Sequence, residues 1–329
     1  MRNKNLLFIR AVGFNTPPLC GVTEGIKPEV QLSVRTKISS ARTLFRVRCF
    51  AAGVFIILFI LLSGCYKKDK DIVSAQGQEQ FLALSGLESK SKVSEKQNRQ
   101  KIENTLLAAK IPDDIGGKIL AADQNDFLKQ LQDATSGDPF LYVLVDKQHK
   151  LPDAYTPNDL VKLNGENKSY TISRTDLSLR VAAEESFEAM AKDARAQGVN
   201  LMASSTYRSY EYQVEVYNRN AAQNGKELAD RESARPGHSQ HQLGLVIDFG
   251  SITDDYAYTK AGRWITENAW KYGWSISFPD GYEDITGYRW ECWHYRFVGK
   301  PLALFIKEWF AGVQQYALQF IYVWENGSL

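Results

Sequence analysis

The chain has 329 residues, 24% of them charged, with a formal net charge of +2 spread through segments of mixed sign. That length suits one enzyme-sized domain with attachments; with no dense basic patch interleaved with aromatics, nucleic acid is excluded as a partner. Of the four cysteines, Cys20, Cys49, Cys65 and Cys292, only the last lies beyond residue 65, so no internal disulfide framework can be built.

Taken in chain order, the first feature is the apolar run Phe50 to Leu62, preceded by Arg42, Arg46 and Arg48 and closed by Ser63-Gly64-Cys65. A basic segment, a short apolar core and small residues before a cleavage point describe an export signal. The run falls well short of the ~20 residues a spanning helix needs. Leu62-Ser63-Gly64-Cys65 resembles a bacterial lipobox, which implies lipidation of Cys65, a membrane anchor and an extracytoplasmic location in the cell envelope. An uncleaved signal anchor would leave the protein on the same side. Residues 1–43 fit neither reading, and translation starting further in, near Val34, is the expectation there. The expected organisation is therefore an upstream stretch with a signal over 1–65, a polar tether and helical stalk over 66–136, and a catalytic domain over 137–329.

The segment from Tyr66 to about Ser94 is rich in Lys, Glu, Gln and Ser and reads as a solvated tether. Apolar residues at Ile102, Leu106, Ile119, Phe127 and Leu131 then predict helices broken at Ile111-Pro112-Asp113 and Gly116-Gly117. Whether these pack on the domain or stand as a stalk stays open. Ser136-Gly137-Asp138-Pro139 signals a turn, and Phe140 to Val145 reads as a short strand. His149, between two lysines, reads as a surface histidine. Leu179, Ala183, Phe187, Met190 and Ala194 recur at helical spacing and predict a helix over 176–197, with Gly198 as its C-terminal glycine.

A strand over 199–205 follows and ends at Tyr207-Arg208-Ser209, where Arg208 can project into a cleft. Its guanidinium can grip a carboxylate through two parallel hydrogen bonds, which the point charge of a lysine cannot reproduce. Residues 210–224 read as a helix with an apolar stripe of Tyr212, Val216 and Tyr217, and 226–235 as a charged loop. The stretch from Arg235 to Asp248 comes next. Its His241 and Asp248 are separated so that a loop delivers an imidazole and the apolar run Leu245 to Ile247 delivers a carboxylate from a buried strand. His238-x-x-His241 is a second possible ligand pair, although Pro236 and Gly237 argue against the helix that would align both rings. Thr259 to Tyr272 reads as a capped helix, and Trp274, Ile276 and Phe278 alternate as a strand. In Trp290-Glu291-Cys292-Trp293-His294 a histidine follows a glutamate by three places, so the backbone must bend there or Glu291 must precede the strand. Two histidines and one carboxylate leave an open position on a tetrahedral zinc. A helix over 301–316 and a final aromatic edge at 320–324 complete the reading.

These blocks carry a resemblance. Ser239-x-His241-x-x-Gly244-x-x-x-Asp248 followed by Glu291-x-Trp293-His294, with Ser205 to Ser209 and Gln213 upstream, resembles the VanY-type D-alanyl-D-alanine and L,D-carboxypeptidases of the LAS metallopeptidase family. The resemblance runs roughly from Gly137 to Leu318. It departs at Val246, where the family usually has alanine. The resemblance implies an α+β fold, a small mainly antiparallel sheet flanked by helices in the LAS or hedgehog-like D,D-peptidase manner. It implies Zn2+ held by His241, Asp248 and His294, and Glu291 as general acid-base. It gives Arg208 a role in both substrate binding and oxyanion stabilisation. Gln213 and Ser239 would bind the substrate carboxylate, Trp293 would wall the pocket, and His238 would either support the ligands from behind or wall the pocket. Cys292 receives no role and reads as a packed thiol. The implied activity is removal of a terminal D-Ala from peptidoglycan stem peptides. A cell-wall endopeptidase and a non-catalytic zinc-stabilised peptidoglycan-binding lipoprotein are the competing expectations.

Overall fold

The computed structural model describes residues 93–152 and 155–327. The signal-like segment, Cys65 and the tether lie outside the described residues. No helix among the described residues is long and apolar enough to cross a membrane. The fold is α+β, as expected, and its described residues belong to one compact unit.

Three helices lead in: α1 (93–108), α2 (Asp113–Ala121) and α3 (Gln124–Thr135). The short strands β1 (Leu160–Lys162), β2 (Thr171–Ile172) and β3 (Ser178–Arg180) precede α4 (Val181–Ala196) and β4 (Met202–Ser205). Helices α5 (Tyr210–Asn224) and α6 (Lys226–Glu232) follow, then β5 (Val246–Phe249), α7 (Lys260–Asn268), β6 (Trp274–Ile276) and β7 (His294–Phe297). Helices α8 (Lys300–Trp309) and α9 (Gln314–Asn326) close the fold. A five-stranded sheet has the order β2-β4-β5-β7-β6, with only β2 and β4 parallel; β1 and β3 form a separate antiparallel pair.

Two apolar clusters hold these elements. One packs Ala183, Phe187, Met190 and Ala194 of α4 against the sheet through Ile247, Phe249, Trp274 and Tyr295. Every residue of β5 and β7 is buried, so both faces of the central strands are covered. The other cluster joins Ile102, Leu106 and Phe127 of the leading helices to Phe305, Trp309 and Phe320. The Phe127 ring lies 5.3 Å from Phe305, 5.2 Å from Trp309 and 5.5 Å from Phe320, spacings at which aromatic pairs attract beyond their area burial. Helices 93–135 therefore pack on the C-terminal helices, which answers the question their periodicity leaves open.

Several local expectations change. Residues 140–142 are not a strand: Asp138 accepts from the Phe140 N–H and Pro139 occupies the first turn, which makes Pro139–Tyr142 a single helical turn. The fully buried Arg296 receives that turn, donating from Nη2 to the carbonyls of Phe140, Leu141 and Val143. The helix expected from 176 starts at Val181, because Leu179 is spent on pairing β3 with β1. Helix α5 has the expected bounds but not the expected face, since its one buried residue is Gln213. The charged stretch after it forms α6 rather than a loop. The last helix is two, broken at Ala311 and Gly312, both with positive φ, so the aromatic tail is helical and not an edge strand.

Candidate metal centre and cleft

The site is assembled from the middle of the sheet. In the β5–β7 register Asp248 stands directly opposite His294. A bulge in β4 between Ala203 and Ser205 sets Ser205 opposite Asp248 on the other side; bulges are a usual means of re-aiming a side chain beside a site. His241 arrives from a 3-10 turn, Gln240–Leu243, that ends on Gly244 at φ 67. A Cβ at Gly244 would meet Leu160 Cδ2 at 2.8 Å and Arg180 Cγ at 3.0 Å. Only glycine suits both that φ and that approach. Glu291 lies before β7, as the geometry of the pair demands, and its carbonyl accepts from the His294 N–H at 3.2 Å.

One ligand atom from each of His241, Asp248 and His294 lies within 4.8 Å of the others. His241 Nε2 is 3.2 Å from Asp248 Oδ2, and His294 Nδ1 is 3.1 Å from Asp248 Oδ1 and 3.4 Å from Glu291 Oε2. His241 Nδ1 donates to the Thr206 carbonyl at 2.7 Å, which fixes its tautomer and leaves Nε2 with a lone pair aimed at the cluster. Burial pushes the His241 imidazole down to about 4, against the pull of Asp248. Burial would lower His294 too, but the carboxylates of Asp248 and Glu291 beside it prevail and raise it to about 9. Desolvation opposes the Asp248 charge, yet the two histidines hold its carboxyl far below the usual range.

Asp248 Oδ1 is buried and receives no hydrogen bond. A buried carboxylate with an orphaned oxygen, faced by two imidazoles, is costly unless a cation completes it. The donor set of two nitrogens and one oxygen suits zinc and leaves a further coordination position. The residues therefore fit the metal.

A cleft of ≈ 340 Å³ opens from this cluster, lined among others by Arg208, His238, Ser239, Glu291 and Trp293. Arg208 donates from Nη1 to Gln213 Oε1 at 2.9 Å and from Nη2 to Ser205 Oγ at 3.2 Å. Gln213 is fully buried behind Arg208 and does not line the cleft; its amide nitrogen donates to the Ala234 carbonyl at 2.6 Å. Ser239 and Trp293 are buried in the cleft wall. Cys292 is buried away from the cluster, its Sγ 3.6 Å from the Thr253 and Asp254 carbonyls, and burial raises its thiol. His149 is bonded to Asp146 and packs on Tyr322, apart from the metal cluster.

Sequence reasoning misses the aromatic support. The Phe278 ring lies 4.7 Å from His294, Tyr288 lies 4.4 Å from Phe278, and Lys147 Nζ stands 3.5 Å over Tyr288. Alternation points Phe278 inward, but nothing in the sequence pairs it with a ligand. Thr206 is missed because its contribution is a main-chain carbonyl.

Residues 176–300 match the family model VanY, D-alanyl-D-alanine carboxypeptidase. The Bacillus subtilis (strain 168) protein YodJ, named as a carboxypeptidase, is 36% identical over 174 residues, 51% of this chain and 63% of that protein. A D-alanyl-D-alanine carboxypeptidase of Enterococcus faecium is 28% identical over 170 residues, 50% of this chain and 54% of that protein. The chain thus spans less than two thirds of these relatives. Among solved structures, the LdcB LD-carboxypeptidase is 33% identical, with a TM-score of 0.48 over 53% of this chain and 86% of that chain.

Proposed function

Residues 176–300 form a VanY-family domain, and from that premise we propose that the chain is a zinc-dependent carboxypeptidase that removes a terminal D-Ala from peptidoglycan stem peptides. The observation that carries this reading is the buried cluster of His241, Asp248 and His294 with Glu291 Oε2 3.4 Å from a ligand nitrogen. His241 Nε2, an Asp248 carboxylate oxygen and a His294 nitrogen would hold the metal. A zinc ion there would supply Lewis acidity and favour deprotonation of the attacking water near neutral pH.

Glu291 accepts the proton of the attacking water on its carboxylate and passes it to the leaving amine, a contribution of roughly a hundred- to ten-thousand-fold. Arg208 binds the free carboxylate at the substrate's C-terminus. Two of its five N–H groups are engaged by Gln213 and Ser205, which fixes the guanidinium plane and leaves three donors for the ligand. Gln213 acts on the substrate through Arg208, and Ser239 and Trp293 shape the wall beside it. A grip on a terminal carboxylate favours an exopeptidase over an endopeptidase. Peptides differing only in a free or an amidated C-terminus test this: the free acid should be cleaved at least about tenfold faster, as expected for loss of a charge-assisted pair. Equal cleavage of both would favour the endopeptidase.

We further read residues 1–65 as an export signal ending at a lipidated Cys65, with the domain held at the outer side of a bacterial membrane. The support for this is the sequence alone.

A further inference from the structure

His238 is the histidine of the Arg235–Asp248 stretch that stays out of the metal cluster. Its half-buried ring lines the cleft and also a smaller cavity beside Lys147, Asp230 and Arg235. His238 Nδ1 lies 2.7 Å from the main-chain oxygen of Asp146. A carbonyl oxygen only accepts, so Nδ1 carries a proton, and in the neutral form of the ring the lone pair is on Nε2. That nitrogen is at the opposite edge of the ring and makes no hydrogen bond among the described residues.

Asp146 is held at every polar atom. Its N–H donates to the His149 carbonyl at 3.1 Å. Its Oδ1 accepts from the N–H groups of Gln148 and His149 and from His149 Nδ1, each at 2.8 Å. Its Oδ2 accepts from Gln315 Nε2, also at 2.8 Å. Asp146 is 8% exposed and Gln315, in the first turn of α9, 4%. The Leu151 N–H donates to the Gly237 carbonyl at 2.8 Å, which docks the same loop against the residue before His238. Neither Asp146 nor Gln315 falls within the 176–300 family match. The ring orientation of a cleft residue is thus set by elements outside that match.

We propose that His238 is a specificity-determining hydrogen-bond acceptor for a main-chain N–H of the bound peptide, and that Asp146 and Gln315 are positioning residues that hold it in the Nδ1–H tautomer. The substrate half of this rests on the peptidase reading; the tautomer half does not. The carboxylate of Asp146 does not touch the ring. It fixes the loop whose carbonyl does, and Gln315 fixes the carboxylate from the C-terminal helix.

The test uses the full chain. In long-range proton–nitrogen spectra of the histidine-labelled protein, His238 is expected as Nδ1–H, shifting toward Nε2–H in Gln315→Met. With a D-Ala-terminated stem peptide, Gln315→Met should raise KM by roughly tenfold with kcat within about twofold, the worth of one hydrogen bond. The same change in a His238→Ala background should alter KM by less than about twofold, because residues acting in series are not additive. Asp146→Asn keeps Oδ1 and can pair with a flipped Gln315 amide, so it should retain native KM. If Gln315→Met does not fold, Gln315→Asn withdraws the amide from Asp146 and reads the same quantities. An Nε2–H tautomer in the native chain, or an equal effect of the substitution in both backgrounds, overturns the proposal. A native chain that releases no D-Ala overturns the peptidase reading, while the spectra still decide the tautomer.

Discussion

At the scale of single residues, the site is a set of charges that burial would forbid one at a time. Asp248 keeps its charge because two imidazoles face it, and His294 is held up to about 9 because Asp248 and Glu291 face it. In the metal-free protein the folded-state pKa of His294 lies above its unfolded value of about 6.5. Its contribution to stability is therefore complete below about pH 6.5 and is lost as pH rises toward about 9. Metal and proton compete for the same nitrogen, so zinc uptake near pH 7 should release close to one proton from His294. Titration calorimetry in buffers of different ionisation enthalpy measures that number; a value near zero would mean that the imidazole is already neutral. The cluster of His241, Asp248 and His294 with Glu291 beside it draws on separate sequence blocks, which is why the sequence singles these residues out. The Gln213–Arg208 contact is only half legible: the proximity follows from five residues of spacing, but the burial of Gln213 behind the guanidinium depends on α6 and Ala234.

At the scale of elements, β5, β7 and the 3-10 turn over Gln240–Leu243 do the placing. Antiparallel pairing alone sets Asp248 beside His294. Gly244 ends the turn, its N–H donating to the His241 carbonyl at 3.2 Å, which also accepts from Arg208 N–H at 3.2 Å. Gly244→Ala should cost roughly 1–3 kcal/mol from the left-handed backbone, with added crowding against Leu160, and should weaken metal binding by shifting His241. Thermal unfolding with and without zinc checks this. A variant of native stability and zinc affinity would show that the turn tolerates a side chain. Helical spacing finds α4 and α7, whose apolar faces meet the sheet, but it starts α4 too early and runs α7 through Ala269–Tyr272, which is a separate 3-10 turn. It misplaces the apolar stripe of α5 and runs α8 into α9, because periodicity cannot see a left-handed residue such as Ala311. The 140–142 error has a different origin: composition there is strand-like, but the Asp138 cap and Pro139 decide the turn.

At the scale of the whole molecule, two apolar clusters meet where α8 packs against β6 and the 3-10 turn Ala269–Tyr272. The sheet cluster carries the proposed metal ligands; the helical cluster, built from both ends of the described chain, carries Gln315 and buttresses the loop at Asp146. Such long-range closure leaves no local signal, and polar glutamines inside an apolar helical pattern do not announce their partners. The proposed anchor belongs to this scale too. Palmitate should label the full chain in a bacterial host and fail to label Cys65→Ala, whereas label retained in the variant would remove the lipoprotein reading.

The measurement that bears most directly on the account is release of D-Ala from defined pentapeptide and tetrapeptide stems by the zinc-loaded protein, beside a chelated sample and Glu291→Ala. The account predicts release from at least one stem, loss on chelation, and a Glu291→Ala protein that binds zinc normally yet turns over at least about a hundredfold more slowly. No release from either stem by a protein holding one zinc, or normal turnover by Glu291→Ala, would contradict it.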